Sequence, residues 1–409
     1  LDVPRGMTPD DDLLQFDLVP GVNHVLFKIS QGQGSWEFQI NTRAALDDAL
    51  DAELFYHLDR DFPPTREREH YRVVTLPVSD GIVLEVGGLD FLSDGAPLVC
   101  NRRGEVYVVE NAYGEPPVDV AYRKVADGLH EPLGLAVRRD DGVETAYLVQ
   151  RGELTRLVDV DQDGDVDRYE TFSDDWGVSG NYHEFAFGPK FDAAGNAWVT
   201  LNVGFCGSLG KSLVPWRGWA LKIAPDGSTT PVCDGLRSPN GIGFWTDGTP
   251  FYVDNQGDYV ATNRMSELAP GSWHGHPASL RWRDDLPSPD ARPRRQPATV
   301  WFPYKKMGQS AADIALDATG GAFGPFTGQF FVGDQTLATV MRVDLEKVGG
   351  HWQGACFPFL SGLASGVNRL AFAPDGSLFA GETDRGWASI GRKRYGLERI
   401  VYTGVEPFE

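Results

Sequence analysis

The chain has 409 residues, 41% of them hydrophobic, and a formal net charge of −21. That charge argues against a nucleic-acid partner, since phosphate neutralisation needs clustered lysine and arginine, and no run of about eighteen apolar residues is present to span a membrane. The 48 glycines and 27 prolines, with 11% aromatics, favour many short strands joined by tight turns, a pattern in which one all-β fold can use the whole length.

The chain opens at Leu1 without an initiator methionine or a leader, which reads as the trimmed product of a larger exported precursor, secreted or periplasmic. Residues 1–70 read as an N-terminal β appendage. Leu13 to Ile40 suggests two strands around Pro20-Gly21 and the Gly32–Gly34 turn, and Trp36-Glu37-Phe38 resembles the closing hairpin of a carbohydrate-binding sandwich. Ala44 to Leu58 alone has a helical period, and the charged stretch Asp59 to Glu69, with Pro63-Pro64, has the composition of a linker.

From residue 71 onward one unit recurs: a short apolar strand, an Asp-Gly or Gly-rich turn, and a second strand. The first strands begin near Gly88, Pro132, His183, Asn240, Asp313 and Asn368, and turns such as Asp94-Gly95, Asp247-Gly248 and Asp375-Gly376 follow. Six units spaced by roughly 45–70 residues predict a six-bladed β-propeller over 71–409, all-β, with four strands to a blade. A β-sandwich would leave the repeated inner-strand signature unexplained. The four cysteines (Cys100, Cys206, Cys233, Cys356) contain no CxxC; they allow three disulfide pairings, and buried free thiols equally well.

Asp159 to Glu170 matches the D-x-D-x-D-G-x5-E calcium loop. Asp159, Asp161, Asp163 and Asp165 would supply oxygens, Gly164 the sharp turn, and Glu170 a closing bidentate carboxylate. Strands rather than helices flank the loop, so the reading is a structural calcium staple on a hairpin. The alternative is a solvated acidic turn.

In a propeller the residues that open the inner strands and close the second strands converge on the axis. Here they are polar: Asp90, His183, Glu184, Arg237, Asn240, Asp313, Asn368 and Arg369 in the first group, and Asn101, Arg102, Asn202, Asp254, Asn255, Asp334, Gln335, Glu382 and Asp384 in the second. His183 is the candidate general base, with Glu184 to orient it or bind substrate, unless it only hydrogen-bonds within the ring. Arg237 and Arg369 are candidate anion clamps or ordinary ion-pair partners. His274 and His276 read as loop filling rather than a metal site. Trp273 or Trp387 could stack on a sugar.

Several stretches carry a family resemblance: Glu131 to Leu135, Asn181 to Gly188, Gly235 to Gly241, Phe331 to Gln335, Gly366 to Leu370 and Asp384 to Trp387. Through them, residues from about 85 to 409 resemble the soluble quinoprotein glucose and sorbosone dehydrogenases. They resemble still more closely the membrane-bound-dehydrogenase-type propeller module of large secreted bacterial proteins. The resemblance implies that His183 takes a substrate hydroxyl proton while hydride passes to pyrroloquinoline quinone, with a calcium ion polarising the quinone. It implies Arg237, Asn240, Asp313, Asn368 and Arg369 as residues that hold the quinone, and a cytochrome-type electron acceptor for a monomeric enzyme. Three functional classes therefore stand: a sugar or polyol oxidoreductase, a lyase or hydrolase acting on acidic glycans through His183 with Glu184 or Tyr182, and a glycan-binding module without catalysis.

Overall fold

The computed structural model describes residues 69–404 apart from 141, 205–212 and 289–290. The expectations for residues 1–68, including the helix over Ala44 to Leu58, lie outside the described residues, as does Cys206.

Six antiparallel four-stranded sheets follow one another along the chain. Blade one is β2 (Val86–Phe91), β3 (Pro97–Asn101), β4 (Val106–Glu110) and β5 (Ala121–Ala126). Blade two is β6 (Leu135–Asp140), β7 (Val143–Val149), β8 (Leu154–Val158) and β9 (Arg168–Ser173). Blade three is β10 (Ala186–Phe191), β11 (Ala197–Leu201), β12 (Trp219–Ile223) and β13 (Thr229–Asp234). Blade four is β14 (Gly241–Phe244), β15 (Pro250–Asp254), β16 (Asn263–Glu267) and β17 (Val300–Phe302). Blade five is β18 (Ala311–Leu316), β19 (Phe330–Asp334), β20 (Thr339–Val348) and β21 (His351–Leu360). Blade six takes β22 (Val367–Phe372), β23 (Leu378–Thr383) and β24 (Tyr395–Tyr402), and its outer strand is β1 (Tyr71–Thr75), from the other end of the domain. The inner strands touch in ring order, β2 to β6, β10, β14, β18, β22 and back to β2. This closed ring is the six-bladed propeller that the repeat predicted.

Local chemistry accounts for the blades. In the turn of blade six the Asp375 carboxylate accepts the Ser377 N–H at 2.9 Å, and Gly376 sits at φ +85°, where a side chain would be strained. Apolar side chains alternate along each strand and meet those of the next blade. Phe323, Phe331 and Phe359 thus pack with Leu370, Leu378 and Ile400 between blades five and six. Where inner strands crowd the axis, only glycine fits: a Cβ on Gly134 would lie 1.5 Å from the carbonyl oxygen of Gly188.

A second repeat fixes the ends of the inner strands. The polar residue that closes each second strand grips the segment entering the inner strand. Asn101 donates to Val83 O, Gln150 accepts from His130 N, and Asn202 donates to His183 O. Asp254 accepts Arg237 N and Ser238 N, Asp334 accepts Gln309 N and Ser310 N, and Glu382 accepts Ser365 N. All of these except Gln150 are fully buried. They work as latches for the loops around the funnel rather than as its surface.

Candidate functional site

The latched loops of all six blades surround an axial cavity of about 170 Å³. Its floor is apolar and tightly packed, made of Leu133, Phe185 and Phe187. Arg102, His183, Arg237, Ser238, Asn240, Asn255, Gln256, Tyr304, Gln309, Ser310, Gln335, Asn368, Gly386 and Trp387 complete the lining. Sequence reasoning reached His183, Arg237, Asn240, Asn368, Arg102, Asn255, Gln335 and Trp387. It missed the apolar floor, it passed over Ser238 between Arg237 and Asn240, and it missed Gln256, Tyr304, Gln309 and Ser310, which lie on loops outside the repeat. The spacing from the latch residues Asp254 and Asp334 is the signal that locates the serines.

His183 is half-buried, and its backbone is held on both sides: its N–H donates to Asn181 Oδ1 at 3.0 Å, and its carbonyl accepts from Asn202 Nδ2 at 2.5 Å. The ring meets Tyr182 and Phe185 edge-on, with centroids at 5.4 and 6.3 Å. Burial, then the nearby charges of Arg237 and Arg151, push the imidazole below its ordinary value, so it is neutral near pH 7.

Glu184 is turned away from this cavity. It is fully buried, and its carboxylate accepts Ser179 N at 2.6 Å and Ser179 Oγ at 2.7 Å beside the Arg217 guanidinium. Arg217 in turn donates to the carbonyls of Gly177, Phe185 and Arg151. Together they set the path of the loop that presents His183.

Arg369 is committed to the axis. It donates to Gly87 O at 2.5 Å, Asn240 Oδ1 and Asn368 O at 2.6 Å, and Leu133 O at 2.7 Å, joining four blades through one side chain. Asn240 also donates to Asn368 Oδ1 at 2.9 Å. Asp313 ties blade five to blade six by accepting Ile314 N and Leu370 N, and Asp90 makes the same pair of bonds from blade one to blade two, with Phe91 N and Val137 N.

Arg102 and Arg237 are the guanidinium groups that line the cavity, and among the described residues no carboxylate lines it. Arg102 Nη2 meets Glu131 at 2.6 Å, while its buried Nε has no partner among the described residues. Against the cost of burying Glu131, Arg102 and Arg151 hold its carboxyl below the usual range. Burial lowers Arg237, although Asp254 and Asp258 favour its charge, and its guanidinium lies so close over Gly257 that a Cβ there would be 1.9 Å away.

The histidines of the blade-four loop are structural. His276 Nδ1 accepts from Ala278 N at the start of a 3-10 helix over Pro277–Trp282, and His274 Nε2 pairs with Ser272 Oγ at 3.0 Å. The three described cysteines are free thiols.

In the loop between β8 and β9, ligand oxygens of Asp159, Asp161 and Asp167 lie within 4.8 Å of one another. Asp159 Oδ2 accepts Gly164 N, while its buried Oδ1 has no partner among the described residues. Glu170 pairs with Arg156 and, at 2.7 Å, with Arg168; Asp165 pairs with Arg123 at 2.8 Å. Asp163 Oδ1 accepts Asp165 N. Asp167, outside the expected ligand set, joins Asp159 and Asp161 in this cluster and accepts Val160 N at 2.7 Å.

No family model and no curated protein matches the sequence. Solved structures do match the fold. An oxidoreductase of Thermus thermophilus described as a glucose dehydrogenase is 21% identical, with a TM-score of 0.58 over 81% of this chain and 100% of its own. The PQQ-bound aldose sugar dehydrogenase of Streptomyces coelicolor is 16% identical, with a TM-score of 0.56 over 81% and 98%. A family AA12 carbohydrate-active enzyme of Trichoderma reesei is 11% identical, with a TM-score of 0.59 over 82% and 96%. These sugar-dehydrogenase and carbohydrate-active structures share the fold of this chain. At these identities the likeness is one of fold, and function rests on the cavity itself. Among the described residues, no helix is long and apolar enough to cross a membrane.

Proposed function

We propose that the protein is a sugar or polyol oxidoreductase working in the axial cavity. The observation that carries this reading is a neutral imidazole, His183, facing one cavity with two guanidinium groups and no lining carboxylate among the described residues. A hydrolase needs a pair of carboxyl groups at the scissile bond, which this lining does not offer.

The donor set fits pyrroloquinoline quinone, the cofactor named for the Streptomyces neighbour. Arg102 and Arg237 would hold its carboxylates, the orphaned Arg102 Nε being a donor still to be used. When bound, the quinone supplies a two-electron acceptor for the hydride leaving the substrate carbon. His183 accepts the hydroxyl proton of that carbon, and burial, helped by the adjacent guanidinium charges, keeps the imidazole unprotonated and ready. Asn202 and Asn181 keep its backbone in place. Asn240, Asn368 and Arg369 form the bonded base of the ring, so the cavity keeps its shape without a ligand. A secreted or periplasmic location and a cytochrome-type acceptor complete the reading.

Asp159, Asp161 and Asp167 fit a hard cation, with the unpartnered Asp159 Oδ1 as one ligand, and we read calcium there as a structural staple. The functional reading is tested by adding quinone and calcium to the purified protein, following quinone binding by absorbance and dye reduction with a panel of aldoses and polyols. Quinone binding with sugar-dependent reduction supports it; a protein that neither binds quinone nor reduces dye with any sugar refutes it.

A further inference from the structure

A second opening lies away from the axis, in the cleft between blades three and four, with a volume of about 710 Å³. This cleft falls within the range of roughly 300–1,000 Å³ that small-molecule pockets occupy. Among the described residues, these blades share the smallest of the six blade-contact cores. Their shared core holds eight buried hydrophobic residues, including Trp198, Val232, Tyr252 and Leu268. Each of the other five blade contacts has from nine to twelve.

Four tryptophans wall the cleft. Trp198 and Trp219 are anchored through their indole N–H groups, to Asp192 Oδ2 at 3.0 Å and to Ser279 O at 3.1 Å. Trp216 packs edge-on against Trp219 at 5.4 Å. Trp282 ends the 3-10 helix, and its Nε1 is buried with no partner among the described residues. This outer wall is fixed in place: Arg283 bridges Asp234 at 2.9 Å and Asp285 at 2.9 Å across the mouth. The half-buried indoles of Trp216 and Trp282, backed by the buried Trp198 and Trp219, suit the apolar C–H faces of a sugar ring. Four carboxylates and two cations line the cleft, so the local charge is negative, which repels uronates and sulfates while offering acceptors to neutral hydroxyls.

We propose that this cleft binds a neutral oligosaccharide, holding the protein on a glycan independently of the chemistry in the axial cavity. The inference does not rest on the oxidoreductase reading. Intrinsic tryptophan fluorescence and calorimetry of the full chain with cellohexaose, mannohexaose and hexagalacturonate test it. Saturable binding of a neutral hexasaccharide is expected, weakened roughly tenfold or more in Trp282→Ala, as for a central aromatic anchor. Binding should be partly kept in Trp282→Phe and unchanged in His183→Gln. Trp282→Phe keeps an aromatic ring in the packed wall and covers the case in which the alanine variant does not fold. The proposal is overturned if neither neutral probe binds, if only hexagalacturonate binds, or if folded Trp282→Ala binds like the native chain. It is also overturned if the native chain self-associates and Trp282→Ala abolishes that association, which would assign the cleft to a second copy.

Discussion

His183 faces the cavity with its protonation already biased by burial and by two positive neighbours. If the neutral imidazole is the working form, catalysis rises with pH through a lowered pKa and reaches its plateau by neutrality. Arg237→Ala removes one of the charges that depress the imidazole, so the acid limb of the kcat/KM profile should move to higher pH while quinone binding weakens. His183→Gln should lower kcat by about 10²–10⁴ with quinone binding retained, the usual weight of a general base. Steady-state profiles of both variants check this; an acid limb that stays put in Arg237→Ala counts against His183 as the titrating group. Sequence order was enough to place His183 and Arg237 on one cavity, because both open inner strands of neighbouring blades. It was not enough to separate Glu184 and Arg369 from them, since position in the repeat says which end of a strand a residue occupies and not which way its side chain turns. Glu184 turns to Ser179, and Arg369 spends its donors on Gly87, Leu133, Asn240 and Asn368.

At the scale of elements, the ring is closed by β1 against β24, and a buried pair of carboxyl groups sits at that closure. Thr75 of β1 donates to Glu398 of β24 at 2.5 Å, Glu398 accepts Ala364 N at 3.0 Å, and Glu382 of β23 lies against Glu398. Burial first, then the neighbouring Glu398, raises Glu382 well above the ordinary carboxyl value, which favours its protonated form in the folded protein. A raised folded pKa means that this contribution to stability is fully present below the unfolded value and is lost as pH rises through the folded one. Glu382→Gln mimics the protonated acid at every pH. Denaturant melts should therefore show native and variant nearly equal near pH 5 and the variant more stable near pH 8; a gap that does not grow with pH contradicts a protonated Glu382. The β8–β9 loop offers a second test at this scale. An ion bound only by the folded state stabilises by about 2.7 kcal/mol at a hundredfold excess over its Kd. A chelator should thus lower the melting temperature of the native chain and leave Asp159→Asn/Asp161→Asn unaffected, whereas equal responses would place no structural ion there. The loop motif was legible in the sequence. The pairing of Glu170 with Arg156 and Arg168 was not, because it depends on the β8–β9 register, which the spacing of the motif does not contain.

The whole molecule carries a formal charge of −21, and that self-repulsion opposes a compact state. Its fold could still be read from the chain, because a propeller repeats one apolar pattern six times and each copy must find its place beside the next. What the repeat did not contain was the strand taken from Tyr71–Thr75 to finish the last blade, a pairing made across the whole length of the domain. Two opposing trends should govern stability across pH. Lowering pH toward the sequence pI of about 4.7 relieves the repulsion. It also charges histidines of the unfolded chain that the folded chain keeps neutral: burial pushes His276 down to about 4 and His274 well below its ordinary value. For groups with lowered folded pKa values the stabilisation is present above the unfolded value near 6.5 and is lost as pH falls through the folded one, with His276 alone accounting for about 3 kcal/mol. Salt at about 0.5 M shortens the screening length to a few ångströms and acts on the first trend only, since buried groups are little screened. Thermal melts should then rise by a few degrees with added sodium chloride at pH 8 and respond little near pH 5, where the net charge is small. A salt response as large at pH 5 as at pH 8 would show that surface repulsion does not limit this propeller, and that the buried histidines and the Glu382 pair set its pH range alone.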